Sequence, residues 1–401
     1  GNSVCTNCGQ CSLVCPTGAI VEKSDISSIW RDIYDPDIFT VIQTAPAIRI
    51  GIGEAMGMES GALVTGKMVA GIRKLGFDRV FDTQFTADLT IMEEGHELIK
   101  RISTGGTLPM ITSCSPGWIK FIEHFFPQQL ANISTCKSPQ QMFGALAKTW
   151  YAEQAGLDPE KIRVISVMPC TAKKYEAERP EMNSAFHYWK ERKKLKNRSG
   201  FPDVDYALTT RELARMFRET GLDFAGLPEE EFDNPLGKST GAAVIFGATG
   251  GVMEAALRTA YEVLTGTTLD KVEFADVRGM EGIKEAEIDI KGKPVRVAVA
   301  HTLKNARKLL DEIKEGKSPY AFIEVMACPG GCLGGGGQPI PTTWEIRKKR
   351  AESIYREDIN LGIRKSHENP EIQALYRDFL IKPLGEISHH LLHTSYSQKS
   401  V

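Results

Sequence analysis

The chain has 401 residues, of which 42% are hydrophobic and 25% are charged, a composition typical of globular proteins with a sizeable core. Its formal net charge is −2, so composition offers no basic surface for nucleic acid. We find no apolar run of about 18 residues and no secretory leader pattern. These features predict a protein without a membrane span and, by default, a cytoplasmic location.

The nine cysteines are grouped by spacing, which favours metal ligation in a reducing compartment over disulfide bonding. Four of them follow the spacing C-x2-C-x2-C-x3-C-P, which is typical of bacterial ferredoxins and predicts a 4Fe–4S cluster: Cys5, Cys8, Cys11 and Cys15. In two-cluster ferredoxins the fourth cysteine of such a run binds the other cluster, so Cys15 either completes this cluster or serves a neighbour. We expect residues 1–24 to be a partial ferredoxin-type segment whose first half lies upstream or is missing.

Beyond a polar segment at 24–38, which we interpret as a linker, short apolar strands alternate with helical segments. The predicted strands cover residues 39–44, 79–82, 110–112, 164–168, 206–209 and 321–325. The predicted helices cover residues 65–75, 89–103, 140–154, 210–220, 252–264 and 371–380. Residues 181–205 are predicted to be an exposed excursion and residues 228–240 a loop. This alternation indicates an α/β fold with parallel sheets.

Three loops place cysteines directly after predicted strands, where ligand sites form in α/β proteins. The thiols in these loops are Cys114, Cys170, Cys328 and Cys332. Lys173 follows Cys170 by three residues, and the last two thiols lie in a glycine-rich segment at 322–339. Successive glycine N–H groups can form a nest that binds anions. Thiolates beside such a nest favour a soft-metal centre that carries negatively charged ligands.

These loops resemble the three signature segments of the [FeFe]-hydrogenases, at residues 112–118, 168–176 and 324–339. The resemblance covers nearly all of the chain after residue 35, and residues 364–393 resemble the small-subunit segment of that family. It implies a two-lobed catalytic domain with mixed and parallel sheets at 37–340. A small-subunit-like helical wrap would follow at 341–401.

The resemblance also implies an H-cluster, in which a 4Fe–4S cubane is joined through one cysteine sulfur to a diiron unit that carries CO, cyanide and azadithiolate. By motif position, the cubane ligands would be Cys170, Cys328 and Cys332, with Cys332 as the bridge. Lys173 would donate a hydrogen bond to a cyanide. The diiron pocket would be lined by Pro46, Ser138, Gln140, Met168 and Met326.

One position departs from the family pattern. The first loop usually has two adjacent cysteines, of which the first relays protons and the second binds the cubane, whereas this chain has Cys114-Ser115. By position, Cys114 is the relay and Ser115 occupies the ligand site. Alternatively the loop shifts so that Cys114 binds iron and Ser115 relays protons, or Cys136, otherwise a packed core thiol, supplies the thiolate. A serine oxygen is a harder ligand than a thiolate and would change the cubane's potential.

A row of polar side chains on one predicted helix offers a proton path. Glu94, Glu97 and Arg101 fall at i, i+3 and i+7, so they share a face. Taken alone, this stripe would be a solvated charged surface. The resemblance implies that it joins Ser134 in passing protons to Cys114, since carboxylates, a hydroxyl and a thiol in hydrogen-bond contact can transfer protons in sequence.

The last predicted helix carries His389 and His393, four residues apart, which is a spacing found at metal sites. No acid or third ligand is near this pair in the sequence. We therefore interpret both histidines as ordinary helix residues rather than ligands.

The sequence thus predicts an enzyme that reversibly reduces protons to H2. It would receive electrons from a ferredoxin or another carrier subunit through the N-terminal cluster and would depend on maturation proteins for its diiron unit. Three alternatives stay open: an H2-sensing or low-activity relative, favoured by Ser115; an electron-transfer subunit; and a catalytic subunit of an electron-bifurcating or formate-linked complex. No G-x-G-x-x-G motif is present, so any NAD chemistry must lie on another chain.

Overall fold

The computed structural model describes residues 3–195, 200–269, 271–290 and 292–400. Its strands are β1 (Phe39–Thr44), β2 (Arg79–Asp82), β3 (Met110–Ile111), β4 (Ile162–Met168), β5 (Tyr206–Thr209), β6 (Ile283–Ile290), β7 (Lys293–His301) and β8 (Phe322–Met326). Its first helices are α1 (Gln10–Val14), α2 (Ile26–Tyr34), α3 (Ile48–Ala55), α4 (Thr65–Lys74), α5 (Thr83–Thr104), α6 (Pro116–Phe125), α7 (Pro139–Leu146), α8 (Ala152–Gln154) and α9 (Ala172–Ala177). The others are α10 (Ser184–Glu191), α11 (Thr210–Glu219), α12 (Gly241–Val244), α13 (Gly251–Thr265), α14 (Thr302–Lys314), α15 (Trp344–Asn360), α16 (Pro370–Leu375) and α17 (Glu386–Leu392).

The first lobe is built on a parallel sheet with the strand order β2-β1-β4-β5. Its central strands are apolar on both faces, because helices cover a parallel sheet on both sides. In β1, Val41 packs into one hydrophobic core and Ile42 into another. The alternation repeats in β4, where Val164 joins the first core and Ile165 the second. The sheet is therefore a rigid, buried base for the loops at its carboxyl edge.

The second lobe contains a mixed sheet with the order β3-β8-β7-β6. Strands β3, β8 and β7 run parallel, and β6 pairs antiparallel with β7 at the edge. Helix α5 lies between the lobes: Phe85 and Leu89 pack into the core of the first lobe, and Ala87 and Ile91 into that of the second. The predicted α/β architecture with parallel and mixed sheets is confirmed.

Two predicted irregular segments are helical. The segment at 24–38 forms α2, because Ile26 and Ile29 lie three residues apart and are both buried against the first lobe. The predicted excursion at 181–205 contains α10, in which Trp189 is buried and its Nε1 donates to the Lys148 carbonyl at 2.6 Å. Both linker and excursion interpretations are wrong over these helices, and residues 196–199 of the excursion lie outside the described residues.

The C-terminal helices wrap onto the two lobes. Arg258 of α13 is fully buried and donates to Asp358 of α15 at 2.9 Å and 2.8 Å. His393, just after α17, pairs with Cys136 in an antiparallel bridge. Within the described residues, every helix is too short or too polar to cross a membrane.

Candidate metal centre

The carboxyl ends of the two sheets meet at a cavity of about 90 Å³. Loops from both lobes form its wall, because Cys170 follows β4 of the first sheet and Cys114 and Cys328 follow β3 and β8 of the second. The cavity residues that can bind iron are Cys114, Ser115, Cys170, Cys328 and Cys332. The structure therefore brings together four thiols and one hydroxyl that are up to about two hundred residues apart in sequence.

The electrostatics of these thiols favour a bound cation. Burial, followed by the negative charge of Cys170, raises the pKa of Cys328 well above its ordinary value. Burial likewise raises the pKa of Cys332 to about 12, while the Lys173 ammonium opposes that rise. Bare thiolates would be costly here, and a metal that binds them offsets that cost because its positive charge stabilises the deprotonated form. The thiol set fits a thiolate-bound cluster.

Glycines in the 328–339 segment allow its backbone to lie against neighbouring loops. Gly331 has φ +72°, and a Cβ there would lie 2.8 Å from the Thr249 backbone nitrogen. A Cβ on Gly335 would lie 2.0 Å from the carbonyl oxygen of Pro169. A side chain at either position would push the cysteine loops apart. Beside the same loop, the buried Glu324 carboxylate accepts from the Gly250 N–H at the start of α13.

Besides the thiols and Ser115, the wall of the cavity includes Pro46, Gln140, Met168, Lys173 and Met326. Lys173 Nζ donates to the Cys114 carbonyl at 3.1 Å, which ties the β4 loop to the β3 loop. The structure thus places these predicted lining residues around one cavity. Their roles toward a cofactor stay predictions.

Glu176 holds this wall together and was missed by the sequence reasoning. Its Oε2 accepts from Lys173 at 2.9 Å, from Ser138 at 2.7 Å and from Gln140 at 3.0 Å. Ser138, which was predicted to line the pocket, is therefore not among the residues that line the cavity, and its hydroxyl donates to Glu176 instead. The available signal was the i, i+3 spacing of Lys173 and Glu176, which places them on one face of a helix.

The three candidate replacements for the missing thiolate lie in different surroundings. Ser115 lines the cavity beside the thiols, as does Cys114. Cys136 does not line this cavity; it is buried next to α5, with its Sγ 3.8 Å from Glu97 Oε2. The pKa of Cys136 is raised well above its ordinary value by burial and then by the Glu97 carboxylate. This placement favours Ser115 over Cys136 as the residue beside the cubane position.

The polar row on α5 leads from the surface to Cys114. Arg101 Nη2 donates to Glu97 Oε1 at 2.6 Å, and Ser134 Oγ donates to Glu97 Oε2 at 3.0 Å. Ser134 also hydrogen-bonds Glu94, whose pKa is raised to about 8 by burial and then by the charge of Glu97. The charge of Glu94 in turn raises the pKa of Cys114, after the larger effect of burial. The hydrogen-bonded row runs from Arg101 to Glu94, whose charge acts on Cys114 at the cavity.

The N-terminal segment lies directly on the cysteine loops. A Cβ on Gly336 would lie 2.2 Å from the Cys8 carbonyl oxygen, and Gln10 Nε2 donates to the Gly334 carbonyl at 2.9 Å. Cys8 is also close enough for its charge to raise the pKa of Cys328. In the same segment, hydrogen bonds led by that from Thr17 lower the pKa of the partly buried Cys15 to about 7. The four predicted cluster ligands thus lie between solvent and the cavity.

Comparisons with known proteins agree with this architecture. Three family models match: the iron only hydrogenase large subunit, C-terminal domain, at residues 38–336, the iron hydrogenase small subunit at 344–399, and a 4Fe-4S binding domain at 2–21. The chain is 55% identical over 405 residues to the NADP-reducing hydrogenase subunit HndD of Solidesulfovibrio fructosivorans, covering 99% of this chain and 67% of that protein. It therefore spans about two thirds of that relative's length.

Two further matches cover most of both partners. The periplasmic [Fe] hydrogenase large subunit of Nitratidesulfovibrio vulgaris is 48% identical, with 88% of each protein covered. A solved structure of a variant of apo [FeFe]-hydrogenase HydA1 from Chlamydomonas reinhardtii superposes with a TM-score of 0.81 at 41% identity. That superposition covers 94% of this chain and 100% of the other.

Proposed function

The chain belongs to the [FeFe]-hydrogenase family, and from that premise we propose that it reversibly reduces protons to H2 at the cavity between its two sheets. Its cofactors are 4Fe–4S clusters and the H-cluster with its diiron unit. One observation carries the proposal: the polar row from Arg101 leads to Glu94, whose charge acts on Cys114, and Cys114 lines the same cavity as the thiols of the other strand-end loops. A proton supply and an iron site therefore meet at one place.

Cys170, Cys328 and Cys332 would hold the cubane, with Ser115 as the fourth residue and Cys332 as the link to the diiron unit. When bound, the H-cluster supplies the redox chemistry that combines electrons with protons to form H2. Cys114 keeps its proton at neutral pH, because burial and Glu94 raise its pKa. By motif position Cys114 would be the relay and Ser115 the fourth residue at the cubane, and the charge of Glu94 beside Cys114 fits a thiol that exchanges protons with that carboxyl group.

Protons would move inward from the partly exposed Arg101 through the buried Glu97, Ser134 and Glu94. Arg101 orients Glu97 at the surface, Ser134 connects Glu97 with Glu94, and Glu94 passes the proton towards Cys114. A carboxyl group with a pKa of about 8 holds a proton at neutral pH and still releases it, which suits a relay. Glu94 is 2% exposed, so bulk water has little access to this step.

The cavity wall would orient the cofactor and keep water out. Lys173 brings a positive charge to the wall, and Glu176 restricts its position through the bond at 2.9 Å. A cyanide ligand is an anion that the Lys173 ammonium suits as a hydrogen-bond donor. Pro46, Met168 and Met326 add apolar surface, which strengthens that interaction by lowering the local dielectric constant.

Electrons would reach the cavity through the N-terminal segment from a ferredoxin or another carrier subunit. The close approach of the Cys8 backbone to Gly336 supports a route between the N-terminal segment and the cavity loop. The relative HndD is named as a subunit of an NADP-reducing hydrogenase, which supports a place for this chain in a multi-subunit complex. We further propose three domains, at residues 1–24, 37–340 and 341–401. We also propose a cytoplasmic location and a requirement for maturation proteins that supply the diiron unit.

A second candidate function is H2 sensing with low turnover. Ser115 favours it, because an oxygen ligand would change the potential of the cubane and slow its exchange of electrons. The continuous polar row favours the enzyme, because a slow sensor has less need of a dedicated proton supply.

Infrared spectroscopy of the protein matured with the diiron unit, combined with H2 output from reduced viologen, tests the proposal. We expect sharp CO and cyanide bands together with H2 output, in the wild type and in Ser115→Cys. The control Cys332→Ala should lack the bands, because it loses the link to the diiron unit. Bands without output in the wild type, restored in Ser115→Cys, would instead support the sensor. Absence of bands from the matured wild type would contradict both.

A further inference from the structure

Glu97, the outer carboxylate of the proposed proton route, also contacts a second group of side chains. The other members of that group have no role in the proposed function. Cys136 Sγ lies 3.8 Å from Glu97 Oε2, and the Thr135 hydroxyl donates to the same oxygen at 3.1 Å. His393 Nδ1 lies 2.8 Å from the Thr135 hydroxyl. A carboxylate oxygen, a thiol sulfur and an imidazole nitrogen of Glu97, Cys136 and His393 all lie within 4.8 Å of one another, and the three residues are buried.

The surroundings orient His393 as a metal-binding histidine. Its Nε2 lies 3.0 Å from Glu93 Oε2, and Glu93 is itself held by Tyr376 and by the backbone N–H of Leu384 at 2.9 Å. A carboxylate that accepts from Nε2–H leaves Nδ1 unprotonated, as an acceptor for which a cation would replace the Thr135 hydroxyl. Histidines that bind metals commonly have such a carboxylate partner, which fixes their tautomer and increases their basicity.

We propose that Glu97, Cys136 and His393 form a binding site for zinc or a similar divalent cation. Sulfur, imidazole nitrogen and carboxylate oxygen are the zinc ligands of proteins, whereas magnesium and calcium prefer oxygen alone. Three ligand atoms within 4.8 Å can surround one ion at ordinary zinc–ligand distances after small side-chain shifts. The Thr135 hydroxyl contacts both Glu97 and His393 and can serve as the fourth ligand.

A cation can reach the group from solvent. An open pocket of about 230 Å³ is lined by Glu97, Thr135 and the exposed His389, among others. The ring of His389 stacks on that of His393 at 4.9 Å, so it stands at the border between the pocket and the buried group. Zinc binding replaces the proton of the Cys136 thiol, and that proton passes to the buffer. The carboxylates of Glu93 and Glu97 offset the positive charge of the ion.

The consequence for activity rests on the proposed function. Glu97 is the outer carboxylate of the proposed proton route, and a carboxylate bound to zinc no longer exchanges protons with Ser134. We therefore expect zinc to act as a reversible inhibitor of H2 turnover that leaves the cofactors in place.

The test is a zinc titration of the fully matured holoenzyme, so that the iron-binding cysteines are already occupied. We measure bound zinc by equilibrium dialysis, H2 output from reduced viologen, and the zinc environment by X-ray absorption. We expect one bound zinc with one sulfur neighbour, loss of H2 output, unchanged infrared bands, and recovery with a chelator. The variants Cys136→Ala and His393→Gln, each compared with its own output without zinc, should bind zinc about 10- to 100-fold more weakly.

His390→Gln is the matched control, because His390 lies in α17 three residues before His393 but outside the group, and it should keep the wild-type zinc affinity. Unchanged zinc affinity in both Cys136→Ala and His393→Gln, or several sulfur neighbours per zinc, would overturn the proposed site. Binding that depends on Cys136 and His393 but leaves H2 output unchanged would support the site and overturn the proton route through Glu97. The two proposals therefore fail in distinguishable ways.

Discussion

At the scale of single residues, Glu94 combines the position and the protonation behaviour of a relay. It lies between Ser134 and Cys114, and burial raises the pKa of its carboxyl group from 4.5 to about 8. The nearby charge of Glu97 adds to that rise, and the hydrogen bond with Ser134 opposes it. Neither effect was available from the sequence, which placed Glu94 only on a charged helix face.

We predict that Glu94→Gln lowers H2 turnover by about 100- to 10,000-fold, because glutamine keeps the shape of the side chain but cannot pass a proton. The infrared bands of the cofactor should stay, which separates a lost relay from a lost cluster. Asp88→Asn is the control: Asp88 is a buried acid on the same helix, bonded to Thr240 at 2.6 Å and outside the polar row. Turnover close to wild type in Glu94→Gln would rule out this route.

The raised pKa of Glu94 also predicts the pH at which its carboxyl group loses its proton. Because the folded-state pKa of Glu94 lies above its ordinary value, its contribution to the free energy of unfolding is complete below about pH 4.5. That contribution is lost as the pH rises to about 8, where the carboxyl group ionises. The infrared band of the protonated carboxyl group should therefore disappear near pH 8 in the wild type and be absent from Glu94→Gln. A band that disappears near pH 4.5 would contradict the raised pKa.

At the scale of elements, a buried ion network joins α13 with α15. Arg258 donates to Glu254 at 2.7 Å and to Asp358 at 2.9 Å, and all three side chains are fully buried. Asp358 also accepts from Arg364 at 2.7 Å, where the chain turns towards the C-terminal helices. The network fixes the start of the C-terminal wrap on the second lobe.

We predict that Arg258→Met lowers the free energy of unfolding by about 3 kcal/mol, because two buried carboxylates lose a shared partner. Urea-induced unfolding of the matured protein, followed by circular dichroism, measures this effect. The control Arg296→Met removes an ion pair with Glu285 whose side chains are about half exposed, and should cost less than about 1 kcal/mol. Equal losses for the two variants would argue against a stabilising role for the buried network.

At the scale of the whole molecule, the N-terminal segment connects solvent with the cavity. Its contacts with the loop at 334–336 place Cys8 beside the proposed cubane site. Cys11 and Cys5 are exposed, so this end of the chain is also accessible to a partner. A carrier protein can therefore deliver electrons without entering the cavity.

We predict that Cys11→Ser removes the N-terminal cluster and lowers H2 output with reduced ferredoxin by at least about tenfold, because the cofactor nearest the carrier is lost. Output with a small viologen, which can approach other parts of the surface, should fall less. Iron content and electron paramagnetic resonance show whether the cluster is lost. Val14→Ser, an exposed change on the same helix, is the control. Equal loss with both donors would contradict a dedicated carrier route.

The sequence by itself determined the family, the fold class and the kind of cofactor. Cysteine spacing and glycine-rich loops are local signals, and strands β1, β2 and β5 begin and end at the predicted residues because buried parallel strands are short apolar runs. The prediction of a linker over α2 was wrong although the local signal was present: Ile26, Ile29, Trp30 and Ile33 have the i, i+3, i+4, i+7 spacing of a helix face that packs on a core.

Only the tertiary structure decided which distant residues share a site. It placed Cys136 with Glu97 and His393 rather than among the cavity thiols, and it placed Glu176 behind the cavity wall. The protonation of Glu94 and Cys114 was also decided there. The physical reason is that desolvation and charge–charge interaction depend on distances in three dimensions, and spacing along the chain does not specify these distances for separate elements.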